Sequence, residues 1–289
     1  MCICRTGGHL NKNNRHEHTV AGFGDEWERL DQSELDAVEH QALFDRYFSI
    51  FPWQILPRSA VGFDMGCGSG RWAKLVAPKV GKLHCIDPSS ALTVARRNLA
   101  CLSNCEFHAF GVGEGALPSA SMDFGYSLGV LHHVPNTEQG IRECVKLLKP
   151  GAPLLLYLYY ALDNRSVGIR LLWKLSDLIR RMISLLPHGL RYIICQLIAA
   201  LVYWPLARIA GSCERFGLSQ KAAASLPLGF YRHLSFYTMR TDALDRFGTR
   251  LEQRFTRVEI NEMMLSAGLV DIRFSEESPY WCAVGFRPK

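Results

Sequence analysis

Two carboxylates, three glycines and a pair of histidines carry the chemistry this sequence offers. Asp64 ends the short apolar run Ala60-Val-Gly-Phe63, and Gly66, Gly68 and Gly70 follow at alternate positions. Such a run reads as a buried strand, and the glycines as a tight turn that lets backbone approach a ligand closely. Arg71-Trp-Ala-Lys-Leu-Val-Ala77 then takes up helical spacing. Strand, glycine turn and helix open a nucleotide-binding βαβ unit. Asp87 closes a second apolar run, Lys82-Leu-His-Cys-Ile86, 23 residues beyond Asp64. A carboxylate at that distance can accept both hydroxyls of a nucleoside ribose. Asp87, Pro88 and Ser89 also suit the start of a helix, and the two roles are compatible.

The histidines stand in a third segment. Met122 to Leu128 fits a fourth strand, and Gly129-Val-Leu-His-His-Val-Pro135 follows it. The dinucleotide fingerprint G-x-G-x-x-G is not what the first segment has. Asp64-x-Gly-x-Gly-x-Gly70 is instead similar to the first motif of class I S-adenosylmethionine-dependent methyltransferases. The three segments together, over roughly residues 58 to 160, resemble the small-molecule branch of that family, the methyltransferase type 11 group.

The resemblance implies S-adenosylmethionine as cofactor. It places the glycine turn against the methionine part, Asp64 near the amino group, and Asp87 at the ribose. The implied cofactor set is Asp64, Gly66, Cys67, Gly68, Gly70, Asp87, Pro88, Gly113, Glu114 and Gly129. One position departs from the family. An acid often follows the third strand to bond the adenine amino group, and Phe110-Gly-Val-Gly-Glu-Gly-Ala-Leu-Pro118 has no Asp. Glu114, or backbone groups of Val112 and Gly113, would have to substitute. The resemblance also puts His132 and His133 beside the cofactor. A neutral imidazole there is suited to take a proton near pH 7, and packing of one ring at the turn is the alternative.

The elements that must position these groups alternate. Strands are expected near 60–64, 82–86, 105–110, 122–128 and 153–159, and helices near 70–77, 89–99 and 137–148. That alternation implies a parallel sheet with helices on both faces, and the family fold implies a Rossmann-like sheet of seven strands. Thr256 and Glu259 form a capping box ahead of a closing helix that ends at Gly268. Val270 to Ser275 and Tyr280 to Phe286 then read as a final hairpin. The chain divides into a flexible tail (1–20), a helical cover (21–57), the cofactor-binding core (58–160), a helical insertion or acceptor lid (161–252) and the closing helix and strands (253–289). Phe23 and Trp27 belong to the cover.

The insertion is rich in Leu, Ile, Trp, Tyr and Arg. Within 164–221 nine Lys or Arg oppose two acids, Asp177 and Glu214. Basic amphipathic helices of this kind suit either a lid or contact with a membrane surface. Tyr192 to Trp204 is strongly apolar but shorter than a span requires. Tyr157, Tyr160, His233, Tyr237 and Arg240 are the candidate acceptor contacts.

Composition bounds the rest. The chain has 289 residues, 48% hydrophobic, with a net charge of +6. That content supports a packed core and does not mark a nucleic-acid binder. The ten cysteines are scattered through strand and helix patterns, and Met1 to Val20 has no apolar core. Reduced thiols in a cytoplasmic protein, peripheral to a membrane if the insertion docks there, are the expectation. Cys2, Cys4, His9, His16 and His18 have irregular spacing, so no metal is expected. Ser127-Leu-Gly-Val replaces the Pro-Pro-aromatic segment of nucleic-acid amine methylases. The expected reaction is methyl transfer to a hydroxyl of a sugar, polyketide or quinone-like acceptor, small or lipid-linked. An RNA-modifying enzyme and a non-catalytic cofactor-binding scaffold are the rival readings. No motif names the acceptor or an oligomeric state.

Overall fold

A computed structural model describes residues 14–115 and 117–289. The five core strands are β1 (Val61–Met65), β2 (Lys82–Ile86), β3 (Cys105–His108), β4 (Phe124–Leu128) and β5 (Pro153–Tyr157). Two more, β6 (Val270–Phe274) and β7 (Cys282–Phe286), complete one seven-stranded sheet of order β3-β2-β1-β4-β5-β7-β6. Only β7 runs against its neighbours. The order reverses between β1 and β4, and ligands of open α/β sheets bind at such a switch point. The helices are α1 (Glu17–Arg29), α2 (Ala37–Tyr47), α3 (Ala73–Val76), α4 (Ala91–Asn98) and α5 (Thr137–Leu147). The insertion supplies α6 (Val167–Ile183), α7 (His188–Ile198), α8 (Trp204–Arg215), α9 (Gln220–Ser225) and α10 (Phe236–Gly248), before the closing helix α11 (Arg257–Ser266).

Both sheet faces are covered. Leu43 and Phe44 of α2, and Phe48 at its C-cap, pack with Ala73, Val76, Leu92 and Ala95 on one face. Ile141, Cys144, Ile260 and Met264 of α5 and α11 pack on the other. The insertion has its own core, in which Cys195, Ala199 and Tyr203 meet Met239, Ala243 and Phe247. Arg180 ties α6 to the end of α10. It is buried, donates from Nε to Asp177 at 2.6 Å and from Nη1 to the Thr249 carbonyl at 2.8 Å.

β1 and β4 approach through a reciprocal pair. A Cβ on Gly62 would stand 2.2 Å from the Phe124 ring, and one on Gly125 2.1 Å from the Phe63 ring. Each ring fills the space that the other strand's glycine leaves. Gly125→Ala should therefore overpack the sheet and lower stability by about 1–3 kcal/mol. Urea denaturation checks this through a lower midpoint at unchanged slope.

Several boundaries differ from expectation. β5 ends at Tyr157 rather than near 159, because the chain turns off the sheet after the last pair with Cys282. Residues 17–20 belong to helix α1, capped by the His16 ring, and not to a tail. Cys2, Cys4 and His9 lie outside the described residues. The closing helix has its capping box, with Thr256 and Glu259 bonding reciprocally, and Gly268 follows it at φ +90°.

Candidate functional site

One cavity of about 730 Å³ opens over the C-terminal ends of the parallel strands. That is ample for a drug-sized ligand. Its floor is the glycine turn. Gly66 and Gly68 have φ +82° and +52°, where a side chain would be strained. A Cβ on Gly66 would stand 2.4 Å from Val130, and one on Gly68 3.0 Å from the Trp27 indole. Trp27 on α1 therefore lies against the turn. The Ile86 carbonyl accepts from Gly66 N and Cys67 N at 2.8 and 3.0 Å, pinning the turn to β2. Asp87 accepts Gly68 N at 2.9 Å through Oδ2, and Ser89 N and Oγ at 2.9 and 2.5 Å through Oδ1.

Among the cofactor positions read from sequence, Gly66, Cys67, Gly68, Asp87, Pro88 and Gly129 line this cavity. Asp64, Gly70, Gly113 and Glu114 do not, and each has a different local task. Asp64 lies buried within β1, and its Oδ2 makes no hydrogen bond. Burial, with Asp87 near, raises its carboxyl well above the usual range. Gly70 lets the turn pack on α4, since a Cβ there would stand 2.8 Å from Leu99. Gly113 lies close to Glu143, 2.9 Å from where its Cβ would be. Glu114 turns back to accept Gly111 N at 2.8 Å and Arg15 Nη1 at 3.3 Å. Phe110, Gly111 and Val112 face the cavity instead.

The donor set fits a cationic nucleoside. Glu26 of α1 lines the cavity, is buried, and leaves Oε1 without a partner. Burial raises it, with Asp245 and Asp242 adding. Buried carboxyls with free oxygens are costly unless a positive group meets them. The turn offers backbone and close approach, and Asp87 offers an acceptor at the cavity wall.

Beyond the turn the cavity becomes aromatic. Tyr157, Tyr159 and Tyr160 all line it, since the chain leaves the sheet at 157 and strict alternation no longer holds. His133 lines it as well, beside Phe23 at a ring distance of 5.0 Å. Its Nδ1 lies 2.6 Å from the Leu251 carbonyl, so Nδ1 carries the proton. Nε2 is buried without a hydrogen bond, 3.8 Å from Asp245 Oδ1. Burial pushes the His133 imidazole down to about 4, and the bond to Leu251 opposes the shift. Asp245 Oδ2 accepts the Tyr159 hydroxyl. Burial pushes Asp245 up to about 7, with Asp242 and Glu252 adding and the Tyr159 bond and Arg254 opposing. Glu252 bonds Arg254 Nε at 2.7 Å and Arg246 Nη1 at 3.2 Å.

His132 sits behind this surface. Its Nδ1 accepts Tyr159 N–H at 3.4 Å, and its ring stacks on Tyr159 at 3.9 Å. His233, Tyr237 and Arg240 lie outside the cavity and have partners elsewhere. His233 meets Glu214 at 2.9 Å, Tyr237 Oη accepts Gln32 N at 2.7 Å, and Arg240 Nε donates to Gln196 at 2.5 Å. Tyr237 and Arg240 stand on α10, but on another face from Thr241, Asp242, Asp245 and Arg246, which line the cavity. Those four repeat at one-, three- and four-residue steps on a helix otherwise apolar at Met239, Ala243, Leu244 and Phe247. That periodic signal was present in the sequence. Glu26 gave no such signal. Away from the cavity, His84, Glu106 and His108 on β2 and β3 lie within metal-ligating reach of one another. There His84 Nδ1 and His108 Nε2 are hydrogen-bonded at 2.9 Å, and Glu106 pairs with Lys82 at 3.2 Å.

Residues 63–156 match the family model of the methyltransferase domain. With the sheet order and the glycine turn, this makes the matched segment a methyltransferase domain of the class I, S-adenosylmethionine-dependent kind. A curated relative, the ubiquinone biosynthesis O-methyltransferase of Azoarcus sp. (strain BH72), is 29% identical over 135 residues, 44% of this chain and 53% of the relative. The chain thus matches about half the length of that relative. A methyltransferase structure from Bacillus halodurans C-125 superposes with a TM-score of 0.52 at 12% identity, covering 86% of this chain and all of the other. The magnesium protoporphyrin IX methyltransferase of Synechocystis PCC 6803, with bound SAH, has a TM-score of 0.52 at 14% identity, covering 94% and 97%. Likeness at that identity concerns the fold.

Proposed function

We propose that this protein transfers the methyl group of S-adenosylmethionine to a hydroxyl oxygen of an apolar, small or lipid-linked acceptor. The carrying observation is His133, with Nδ1 held by the Leu251 carbonyl and Nε2 free beside Asp245. When bound, the cofactor supplies a methyl group made electrophilic by its sulfonium. The glycine turn, Asp87 and Glu26 hold it, with Val112 and Phe110 as the apolar wall for the base. Tyr157, Tyr159 and Tyr160 orient the acceptor and keep water out, and alignment of that kind supplies roughly 7–11 kcal/mol of a barrier. The methyl–sulfur bond would break as the oxygen–methyl bond forms, leaving neutral S-adenosylhomocysteine, and His133 Nε2 would take the hydroxyl proton. Asp245, as a carboxylate, then stabilises the imidazolium. The name of the Azoarcus relative, an O-methyltransferase, supports oxygen as the methylated atom.

The cofactor half is tested by calorimetry with S-adenosylhomocysteine, using NAD as control. Micromolar binding of the first alone is expected, and no binding would remove the reading. Transfer of labelled methyl to lipid-linked sugars and hydroxylated quinone analogues tests the acceptor half.

A pH dependence follows from Asp245. Its carboxyl sits near 7, while His133, near 4, stays neutral through the working range. The rate should be high above pH 7 and fall as pH drops through about 7, where Asp245 takes up its proton. Asp245→Asn should remove this limb. A wild-type limb that survives in the variant would assign it to another group.

A further inference from the structure

Helix α6 carries an apolar stripe that no described part of the fold covers. Leu171, Leu175, Leu178 and Met182, with Leu185 just past the helix end, recur at three- and four-residue steps, and all are exposed, Met182 at 67%. The inward edge of the same helix is Asp177, Arg180 and Ile183. A five-residue π segment, Ala199–Tyr203, joins α7 to α8 without a break, and this rod repeats the arrangement. Arg191, Cys195, Ala199, Tyr203 and Ala207 face inward, while Leu190, Ile193, Leu197, Leu201 and Trp204 face outward and are exposed. Single exposed apolar residues are ordinary, but stripes of this length mark an interaction surface.

The exposed charge carried by these helices has one sign. Arg170, Lys174 and Arg181 border the α6 stripe and are exposed. The one acid of α6, Asp177, is buried between Arg180 at 2.6 Å and Arg181 at 2.9 Å. The one acid of α7 and α8, Glu214, is taken by Arg232 and His233. No exposed carboxylate therefore stands on these helices. His188–Arg215 is long and apolar enough to cross a membrane. Its inward stripe, with buried Arg191, is packed against α10. It therefore lies along the body of the protein and does not project from it. A helix surface with an apolar stripe and a basic border matches the interface of an anionic bilayer.

The stripes also border the cavity. Leu172 and Ile179 of α6, and Val202 and Leu206 of the second rod, line the cavity and are themselves 36–54% exposed. These four form an apolar lip between the outer surface and the aromatic part of the site.

We infer that the face formed by α6 and the α7–α8 rod docks on an anionic lipid bilayer, and that the acceptor enters the cavity from the lipid across this lip. The inference rests on the methyl-transfer reading of the cavity and adds the phase from which the acceptor comes. The test is flotation of the full chain with vesicles of phosphatidylcholine containing 30% phosphatidylglycerol, against phosphatidylcholine alone. Binding at least fivefold greater to the anionic vesicles is expected. Leu175→Glu with Met182→Glu, neither residue lining the cavity, should reduce the bound fraction about tenfold. S-adenosylhomocysteine affinity, read by calorimetry on the same samples, should stay unchanged. A folded wild-type protein that binds the cofactor but not the vesicles overturns the docking and leaves the cofactor reading standing. If light scattering then gives a dimer that the double variant dissociates, a second copy covers the face.

Discussion

His133→Asn is expected to lower kcat by about 10²–10⁴-fold, the usual range for loss of a positioned general base. Asparagine can still donate to the Leu251 carbonyl, as Nδ1 does at 2.6 Å in the parent. It has no atom at the place of Nε2, which stands free 3.8 Å from Asp245. The substitution thus separates holding the loop from accepting the proton. S-adenosylhomocysteine affinity should change by no more than a few-fold, because the glycine turn and Asp87 are untouched. His132→Asn should cost stability more than rate, since that ring packs on Tyr159 behind the cavity. A kcat within threefold of the parent for His133→Asn would exclude His133 as the base.

The second large effect belongs to Asp87. Asp87→Ala should weaken S-adenosylhomocysteine binding by about 10–100-fold, since hydrogen bonds to charged groups contribute roughly 1.5–3 kcal/mol. Two causes add here. On the proposed cofactor reading the ribose loses its acceptor, and Gly68 N and Ser89 lose theirs. The turn does not fall with them, because Gly66 N and Cys67 N remain bonded to the Ile86 carbonyl. Far-ultraviolet circular dichroism should therefore be unchanged, and calorimetry measures the affinity. Asp87→Asn keeps one acceptor oxygen and should fall between the two. An unaltered affinity in folded Asp87→Ala would take Asp87 out of the ribose role.

The sheet was legible because its signals are local. Apolar runs, the stop at Gly268 and the Thr256–Glu259 box each act within a few residues. The glycine turn was legible for the same reason, as a backbone conformation that few residues tolerate. The aromatic part of the cavity was only half legible. Tyr157 and Tyr160 stand where the end of a strand put them. His233, Tyr237 and Arg240 stand out in the sequence only by their polarity near a lid, and their partners on α7, α8 and the loop before α2 cannot be read from spacing. Glu26 is a plain surface-type residue in the sequence, and only the packing of α1 across the strand ends buries it.

The pairing of His133 with Asp245 joins two parts of the chain that fold around different cores. His133 follows β4, and Asp245 rides on α10 of the insertion. Their 3.8 Å separation therefore gauges how the insertion is seated. On the proposed mechanism, a shift of about one ångström between α10 and the turn after β4 would part the base from its counter-ion, while the bonds of the glycine turn to Ile86 and Asp87 stay in place.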